Sequence, residues 1–380
     1  MIQRILFTES SSNLGGQELQ LLQQMSELTA RGVAVHLLCR GNSRIAELAR
    51  TRGLPTTAIP FRNSLHLPSI AAVARVVSAW QPDTVICHSG HDANTCALAV
   101  RIVKRMHRKR QRPCLIRMRT YQPGIPHAWT YNLLFDLTFV PSAEMRRQLL
   151  ANPRIRPDRI RVLYPGFLFE QIDRDAATIL PPHLSAWLDQ HPGPLLVHAA
   201  MLRAEKGHDV LLAALVPLVK KFPSLRYVIA GEGERRDELT RAIATQGLGE
   251  HVYLAGLVPH IAALYQRATL VVQPSLYEPL GMSQSEALSL GIPVVASKTG
   301  GIPETITHAH TGLLATPGDV NAWVSALDWA LEHPGDMQQM ALRGRDFVRS
   351  QFSMAKNIKQ LLTAISTLTS LDKWLPTSQT

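Results

Sequence analysis

Arg203 and Lys206 stand three residues apart in the segment Met201-Leu-Arg-Ala-Glu-Lys-Gly207. A guanidinium and an ammonium placed so can neutralise the charge of a leaving diphosphate. Glu205 lies between them, and a surface salt-bridge cluster accounts for the same three residues equally well. Further along, Glu278 and Glu286 are eight residues apart, the first expected in a loop and the second about a turn into a helix. The start of that helix, Leu280-Gly281-Met282-Ser283, would offer unpaired N–H groups to a phosphate, while the two carboxylates accept hydrogen bonds from sugar hydroxyls. Two surface acids at this spacing are also common by chance. Near the N-terminus, Gly15-Gly16 precedes a helix, so backbone can approach a ligand and helix N–H groups can face an anion. It is not a dinucleotide GxGxxG fingerprint, and a plain turn explains it as well. His88, in Cys87-His-Ser-Gly-His-Asp92 after an expected strand, is a candidate for a ligand contact at the mouth of a sheet; His91, Asp92 and His127 are weaker ones.

These residues need elements to hold them. Short apolar runs alternate with helical patterns: strand Ile2–Thr8, helix Gln17–Arg31, strand Val33–Cys39, helix Arg44–Arg52, strand Thr56–Pro60, helix Pro68–Trp80, strand Thr84–Cys87. Such alternation gives βαβ units and a parallel sheet covered on both faces. The pattern restarts after a Pro-rich stretch: strand Leu195–Ala200, helix His208–Phe222, strand Arg226–Ala230, helix Glu234–Gln246, strand Val252–Ala255, helix His260–Arg267, strand Leu270–Gln273, helix Ser283–Leu290 and strand Pro293–Ala296. The expected fold is therefore α/β, two Rossmann-like parallel-sheet domains facing a cleft. The first domain is expected over residues 1–165 and the second over 190–350, with a linker near 165–194 and a helix at about 354–371 crossing back to the first domain. Ligands of open parallel sheets bind at the carboxyl ends of the strands, so the loops after strands are the places to inspect.

At roughly 150 residues per domain, 380 residues suit two domains, and 46% apolar with 18% charged residues is an ordinary globular balance. The longest apolar run, Val210 to Val219, is broken by Pro217, far short of the roughly 20 residues a membrane helix needs. Met1 to Thr8 lacks a signal-peptide apolar core, so the chain is expected to be cytoplasmic or peripheral at the inner membrane face. Cys39, Cys87, Cys96 and Cys114 form no CxxC pair and read as buried free thiols. The net charge of +11 is uneven: residues 1–165 hold 23 Lys/Arg against 9 Asp/Glu, residues 166–380 hold 17 against 20. The excess peaks at Arg101, Lys104, Arg105, Arg108, Lys109, Arg110, Arg112, Arg117 and Arg119 without an acid among them. That stretch would attract polyanions or an anionic membrane surface, or simply form a solvated helix end and loop.

Taken in order, GG-x-E near the N-terminus, R-x-x-K-G after a mid-chain strand, E-x7-E, Gly291-Ile-Pro-Val-Val-Ala-Ser297, Thr299-Gly-Gly-Ile-Pro-Glu304 and Thr311-Gly-Leu-Leu314 resemble glycosyltransferase family 4, retaining enzymes of the GT-B fold. The resemblance spans nearly the whole chain and is strongest from about 195 to 315. It implies that the second domain binds a nucleotide-diphosphate sugar, with Arg203 and Lys206 on the diphosphate, Glu278 on the transferred sugar and Glu286 on the ribose. It also implies backbone contacts at Leu280, Gly281, Met282 and Ser283, Gly231 lining the cleft, Gly256 near the base, and Gly15 and Gly16 closing over the donor. Transfer in that family is taken to proceed by front-face substitution, with no cofactor and no metal required when Arg and Lys supply the positive charge. Many relatives carry a His in a segment like R-T-R-H; here Arg117-Met-Arg-Thr120 puts Thr120, or Arg119 after a one-residue slip, at that position. The family also suggests a glycan or lipid-linked acceptor, as in assembly of lipopolysaccharide or another bacterial surface glycan. Nucleic acid is not an expected partner. A nucleotide-sugar epimerase or phosphorylase on the same fold, or an inactive polyanion-binding protein, are the competing readings.

Overall fold

Parallel strands buried on both faces need apolar runs, and Ile5–Phe7, Val85–Cys87, Leu195–Val197 and Leu270–Val272 supply them with side chains wholly out of solvent. In the computed structural model, which describes residues 2–12, 15–106, 112–120 and 126–371, these runs are the central strands of two separate sheets. The first sheet comprises β1 (Arg4–Glu9), β2 (Ala34–Cys39), β3 (Thr56–Ala58), β4 (Thr84–Cys87), β5 (Cys114–Met118), β6 (Leu137–Val140) and β7 (Ile160–Val162), in the order β3-β2-β1-β4-β5-β6-β7. The second comprises β8 (Leu195–Ala199), β9 (Arg226–Ala230), β10 (Val252–Gly256), β11 (Leu270–Gln273), β12 (Val294–Ser297) and β13 (Leu313–Ala315), in the order β10-β9-β8-β11-β12-β13. Every pairing is parallel.

Both sheets reverse their winding beside their first strand. β1 lies between β2 and β4, with Ile5 opposite Val35 and Thr84, and β8 lies between β9 and β11. Two such switch points, β1/β4 and β8/β11, open crevices at the strand carboxyl ends. The described loop residues that leave those four ends are 10–12 with 15, 88–89, 200–207 and 274–282. They carry most of the residues singled out above.

The chain divides into two compact units, Met1–Gly166 with Met354–Thr380, and Phe167–Ser353. The stretch expected as a linker is instead two helices of the second unit, Phe169–Ala176 and Pro182–Gln190. They bury Phe169, Leu184 and Leu188, and Asp173, Asp175 and Asp189 pair with Arg349, His260 and Arg267 of the same unit. Pro and Gly at 181–194 punctuate these helices rather than a free connection. The helix Met354–Leu371 belongs to the first unit, where buried Asn357 accepts from Gln24 at 2.9 Å and donates to the Tyr164 carbonyl at 2.6 Å. The four cysteines are buried, and none is in a disulfide. No helix among the described residues is long and apolar enough to cross a membrane.

Candidate active site

In the second unit, β8 runs out at Ala199 and the chain turns through Arg203 into a short 3-10 turn, Ala204–Lys206. Gly207 ends that turn with φ 71° and opens the helix His208–Lys221. A Cβ on Gly207 would overlap the Pro274 carbonyl oxygen, so only glycine lets this loop lie against the loop that follows β11. The Leu276 N–H donates to the Glu205 carbonyl at 2.8 Å and locks the two loops together. From the other side, Gly300 (φ 51°) approaches so closely that a Cβ would overlap the Glu278 carbonyl oxygen, and the Gly301 N–H donates to it at 3.0 Å. Glu278 is thus fixed from both flanks by backbone.

The result is an ion pair between Lys206 Nζ and Glu278 Oε1, with both side chains mostly buried. Gln273 Nε2 (3.1 Å) and Ser275 Oγ (3.4 Å) donate to the same oxygen. Three donors converge on Oε1, and Oε2 has none among the described residues. Glu278 therefore keeps an acceptor for a ligand hydroxyl while its charge is held in place. Arg203 is half exposed, 4.0 Å from Glu205, so the salt bridge anticipated there involves Arg203 alone, and Lys206 pairs with Glu278. Behind Lys206, the buried rings of His198 and His208 lie 4.6 Å apart. Burial drives both toward the neutral form, His208 to about 4. They add no positive charge beside the lysine.

The helix Ser283–Ser289 starts one residue after Met282, and Ser283 Oγ donates to the Ala199 carbonyl at 2.7 Å, tying this start to the end of β8. The N–H groups of Gly281, Met282 and Ser283 make no backbone hydrogen bond among the described residues. Leu280 is buried, and its carbonyl and that of Gly281 accept from Gln284. Glu286 lies in the first turn of that helix. Burial, reinforced by nearby Asp175, pushes its carboxyl up to about 7. Gly231 follows β9 and donates to the Gly256 carbonyl at 2.7 Å, and Gly256 closes β10 beside the Glu232 carboxylate.

In the first unit, Gly15 caps the helix Gly16–Ala30, its N–H donating to Glu18 Oε2 at 2.8 Å. Thr120 Oγ1 donates to Gln17 Oε1 of the same helix. Arg117 and Met118 lie within β5, so only Arg119 and Thr120 fall in the loop after it. His88 follows β4 and is 6% exposed, stacked on Phe7. Its Nδ1 lies 3.2 Å from the Thr8 carbonyl, which can only accept, so Nδ1 carries the proton and Nε2 the lone pair. Burial lowers its pKa to about 4. Asp92, wholly buried, accepts from Thr8, from Ser10 at 3.2 Å, and from the His88 and Ser89 N–H groups at 3.1 and 3.0 Å. Glu9, equally buried, accepts from Ser89 Oγ, the Ser11 N–H and Gln17 Nε2. His91 bonds Ser64 at 3.3 Å, and His127 is exposed.

Gln273, Ser275, Glu9 and Asp92 carry more of the polar wiring than their sequence context suggested. A signal existed at one of them: Gln273 ends a run of buried valines, where a polar residue needs a partner. The basic stretch is not one uniform patch. Arg112 pairs bidentately with Asp136, and Arg117 is buried in β5 with its guanidinium 4.1 Å from the Tyr131 ring centre and 4.5 Å from that of Phe135. Asp136, distant in sequence, supplies the missing acid. Arg108, Lys109 and Arg110 lie outside the described residues. No group of three or more His, Cys, Asp or Glu that could hold a metal occurs among the described residues.

Two family models match this chain: "Glycosyltransferase Family 4" over residues 14–167 and "Glycosyl transferases group 1" over 186–347. The chain belongs to glycosyltransferase family 4. Its fold is GT-B: a glycosyltransferase from Rickettsia africae superposes with a TM-score of 0.84 over 97% of this chain and 98% of its own, at 19% identity. The Anabaena protein HepE, solved with UDP-glucose, superposes at 0.81 over 96% and 99%, at 21% identity. Among curated proteins, the alpha-D-kanosaminyltransferase of Streptomyces kanamyceticus is 28% identical over 44% of this chain and 44% of its own length. The chain spans about half the length of the curated relatives it matches.

Proposed function

We propose that this family 4 member is a retaining glycosyltransferase that moves a sugar from a nucleotide diphosphate to an acceptor hydroxyl. The observation that carries the reading is the Lys206–Glu278 pair at the β8/β11 switch point, with Arg203 opening the same turn as the lysine. Lys206 and Arg203 would stabilise the negative charge that grows on the departing diphosphate. The free oxygen of Glu278 would orient the sugar, and Glu286 would accept from the ribose. Backbone N–H groups at Gly281–Ser283 would meet phosphate and sugar oxygens, with Gly231 and Gly256 leaving room for the nucleoside. The first unit would recognise the acceptor, with His88, Thr120, Gly15 and Gly16 as its candidates. No protein nucleophile is needed if acceptor and leaving group share one face of the sugar, and the anomeric configuration is then retained. Two cationic side chains supply the charge that a divalent metal would otherwise bring.

The acceptor we favour is a lipid-linked glycan in bacterial surface-polysaccharide or lipopolysaccharide assembly, a reading supported by the family and the basic first unit. A thermal-shift panel of UDP-, GDP- and ADP-sugars tests the donor: at about 100 times its dissociation constant the right one stabilises by about 2.7 kcal/mol. The UDP-glucose complex of HepE makes UDP-sugars the first to try. Turnover should survive a chelator, and proton NMR should show the donor's anomeric configuration in the product. An inverted linkage would overturn the mechanism.

A further inference from the structure

The end of the helix Gly90–Met106 and the helical turn around Thr130–Leu134 expose large apolar side chains that a free surface has no reason to show: Met106 is 70% exposed, Leu133 71%, Trp129 57% and Ile102 45%. Ile102 and Met106 are four apart on one helix face, and Trp129 and Leu133 are four apart on the other turn. Arg101 joins the two elements, donating to the Ala97 carbonyl at 2.8 Å and to the Leu133 carbonyl. Behind them, Val103 and Leu134 pack on one apolar cluster, so the two pairs stand side by side on a fixed base. Lys104 and Arg105 on the same helix end are exposed and make no ion pair among the described residues.

We infer that Ile102, Met106, Trp129 and Leu133 form an apolar wedge that enters the headgroup region of an anionic bilayer, with Lys104 and Arg105 meeting lipid phosphates. A polyanion in solution would be met by the cations and gains nothing from exposed Ile, Leu and Met. A protein partner of matching acidity would be a second possibility, but Lys and Arg around a tryptophan-bearing apolar rim is the chemistry of a bilayer interface, where one end of the indole is apolar and the other wet. Unlike simple charge attraction, insertion leaves part of the binding insensitive to salt.

The patch belongs to the first unit and the proposed donor residues to the second, so the two can be tested with different variants. Full-length protein is sedimented with vesicles of phosphatidylcholine alone or mixed with phosphatidylglycerol, at low and moderate salt. Wild type should bind the mixed vesicles, retain measurable binding at moderate salt, and show tryptophan quenching by bromine-labelled lipid tails. Trp129→Ser with Leu133→Ser should bind at least tenfold more weakly at both salts and lose that quenching, while its donor hydrolysis in solution stays at the wild-type rate. Lys104→Ser with Arg105→Ser should instead flatten the salt dependence. Sedimentation with neither vesicle, no quenching, or a double Ser variant that binds like wild type would overturn the wedge. Binding abolished by a soluble polyanion at moderate salt would reassign the patch to charge alone. If the wedge fails while UDP-, GDP- or ADP-sugar turnover persists, the transfer reading stands untouched.

Discussion

The switch points of the two sheets have the same topology but use their polar groups in opposite ways. At β1/β4, Glu9 and Asp92 are wholly buried and surrounded by hydroxyls and N–H groups of their own unit, with no Lys or Arg paired to either among the described residues. At β8/β11, charge faces charge: Lys206 on Glu278, with half-exposed Arg203 at the start of the same turn and one carboxylate oxygen unclaimed. A closed hydrogen-bond network holds a shape. An open one with cations at its rim can meet a leaving anion. Fold alone therefore does not divide the labour between the units; the way each loop satisfies its polar groups does.

The largest expected effect follows from that difference. Lys206→Ala should lower kcat by about 10²–10³, because one donor to developing charge is lost, and Arg203→Ala should follow with a smaller drop. In Lys206→Ala, Glu278 is left buried without its cation, so the folded fraction must be checked by circular dichroism. Lys206→Gln, which still donates, separates a folding defect from a catalytic one. Full turnover in folded Lys206→Ala would show that the open network is not the reacting one.

Asp92→Ala should break the closed network, leaving three buried donors and the partly buried Ser89 N–H without their acceptor. At about 1–3 kcal/mol for an unsatisfied buried group, the first unit should lose several kcal/mol in urea unfolding. Nucleotide binding to the second unit should be unchanged by calorimetry. If instead donor affinity falls while stability holds, the contrast between the two switch points is wrong.

Glu286 sharpens the contrast through pH. Its folded pKa of about 7 lies above the usual carboxylate value, so between about 4.5 and 7 the native state binds more protons than the unfolded one. Stability from this group is present below that window and is lost as pH rises through it. Glu286→Gln should therefore gain in melting temperature relative to wild type at pH 7.5 and not at pH 4.5. If the ionised carboxylate accepts from the ribose, nucleoside diphosphate binding near pH 6.5 should release a proton. Calorimetry in two buffers of different ionisation enthalpy would show it in wild type and not in the variant. Glu278→Gln should leave nucleotide affinity nearly intact and lower transfer instead. Equal loss of affinity in both variants would refute this division of roles.

The two-sheet architecture was legible because βαβ alternation is a local signal, repeated from Ile5 to Ala296. Thr84–Cys87 coincides with β4, whereas β1, β8 and β12 differ from their expected bounds by one or two residues, and the short strands β6, β7 and β13 are missed because three or four residues carry little periodicity. The helices at 169–176 and 182–190 were hidden by short length and neighbouring prolines, although Leu184 and Leu188 are spaced four apart. The identities of Arg203, Lys206, Glu278 and Glu286 were visible, but the pairing of Lys206 with Glu278 spans 72 residues and depends on Gly207 and Gly300 holding two loops against a third. No spacing rule reports a contact made by loop backbone. Charge counted along the chain also overstates the basic stretch at two positions, because it takes no account of Asp136 and the aromatic rings that engage Arg112 and Arg117.

The smallest effect is expected at His88, which stands between the two kinds of network. Its ring is buried and neutral, with a folded pKa of about 4 below the usual 6.5. The unfolded chain therefore binds more protons between those values, and the stability His88 contributes is full above pH 6.5 and lost as pH falls toward 4. Across pH 6.5–9 the ring does not titrate, so it should add no limb to a rate profile there. Its Nδ1–H is committed to the Thr8 carbonyl, and Nε2 is the one group it can offer a substrate hydroxyl. Asn places a donor near Nδ1 and nothing near Nε2, so His88→Asn should fold while losing that acceptor. One hydrogen bond to an uncharged group is worth about 0.5–1.5 kcal/mol, a fall of up to about tenfold in kcat/KM. His88→Gln, which reaches toward the Nε2 position but abandons Thr8, should melt lower and recover part of the rate. If His88→Asn turns over like wild type and both variants differ only in melting temperature, His88 belongs wholly to the closed network of β1 and β4.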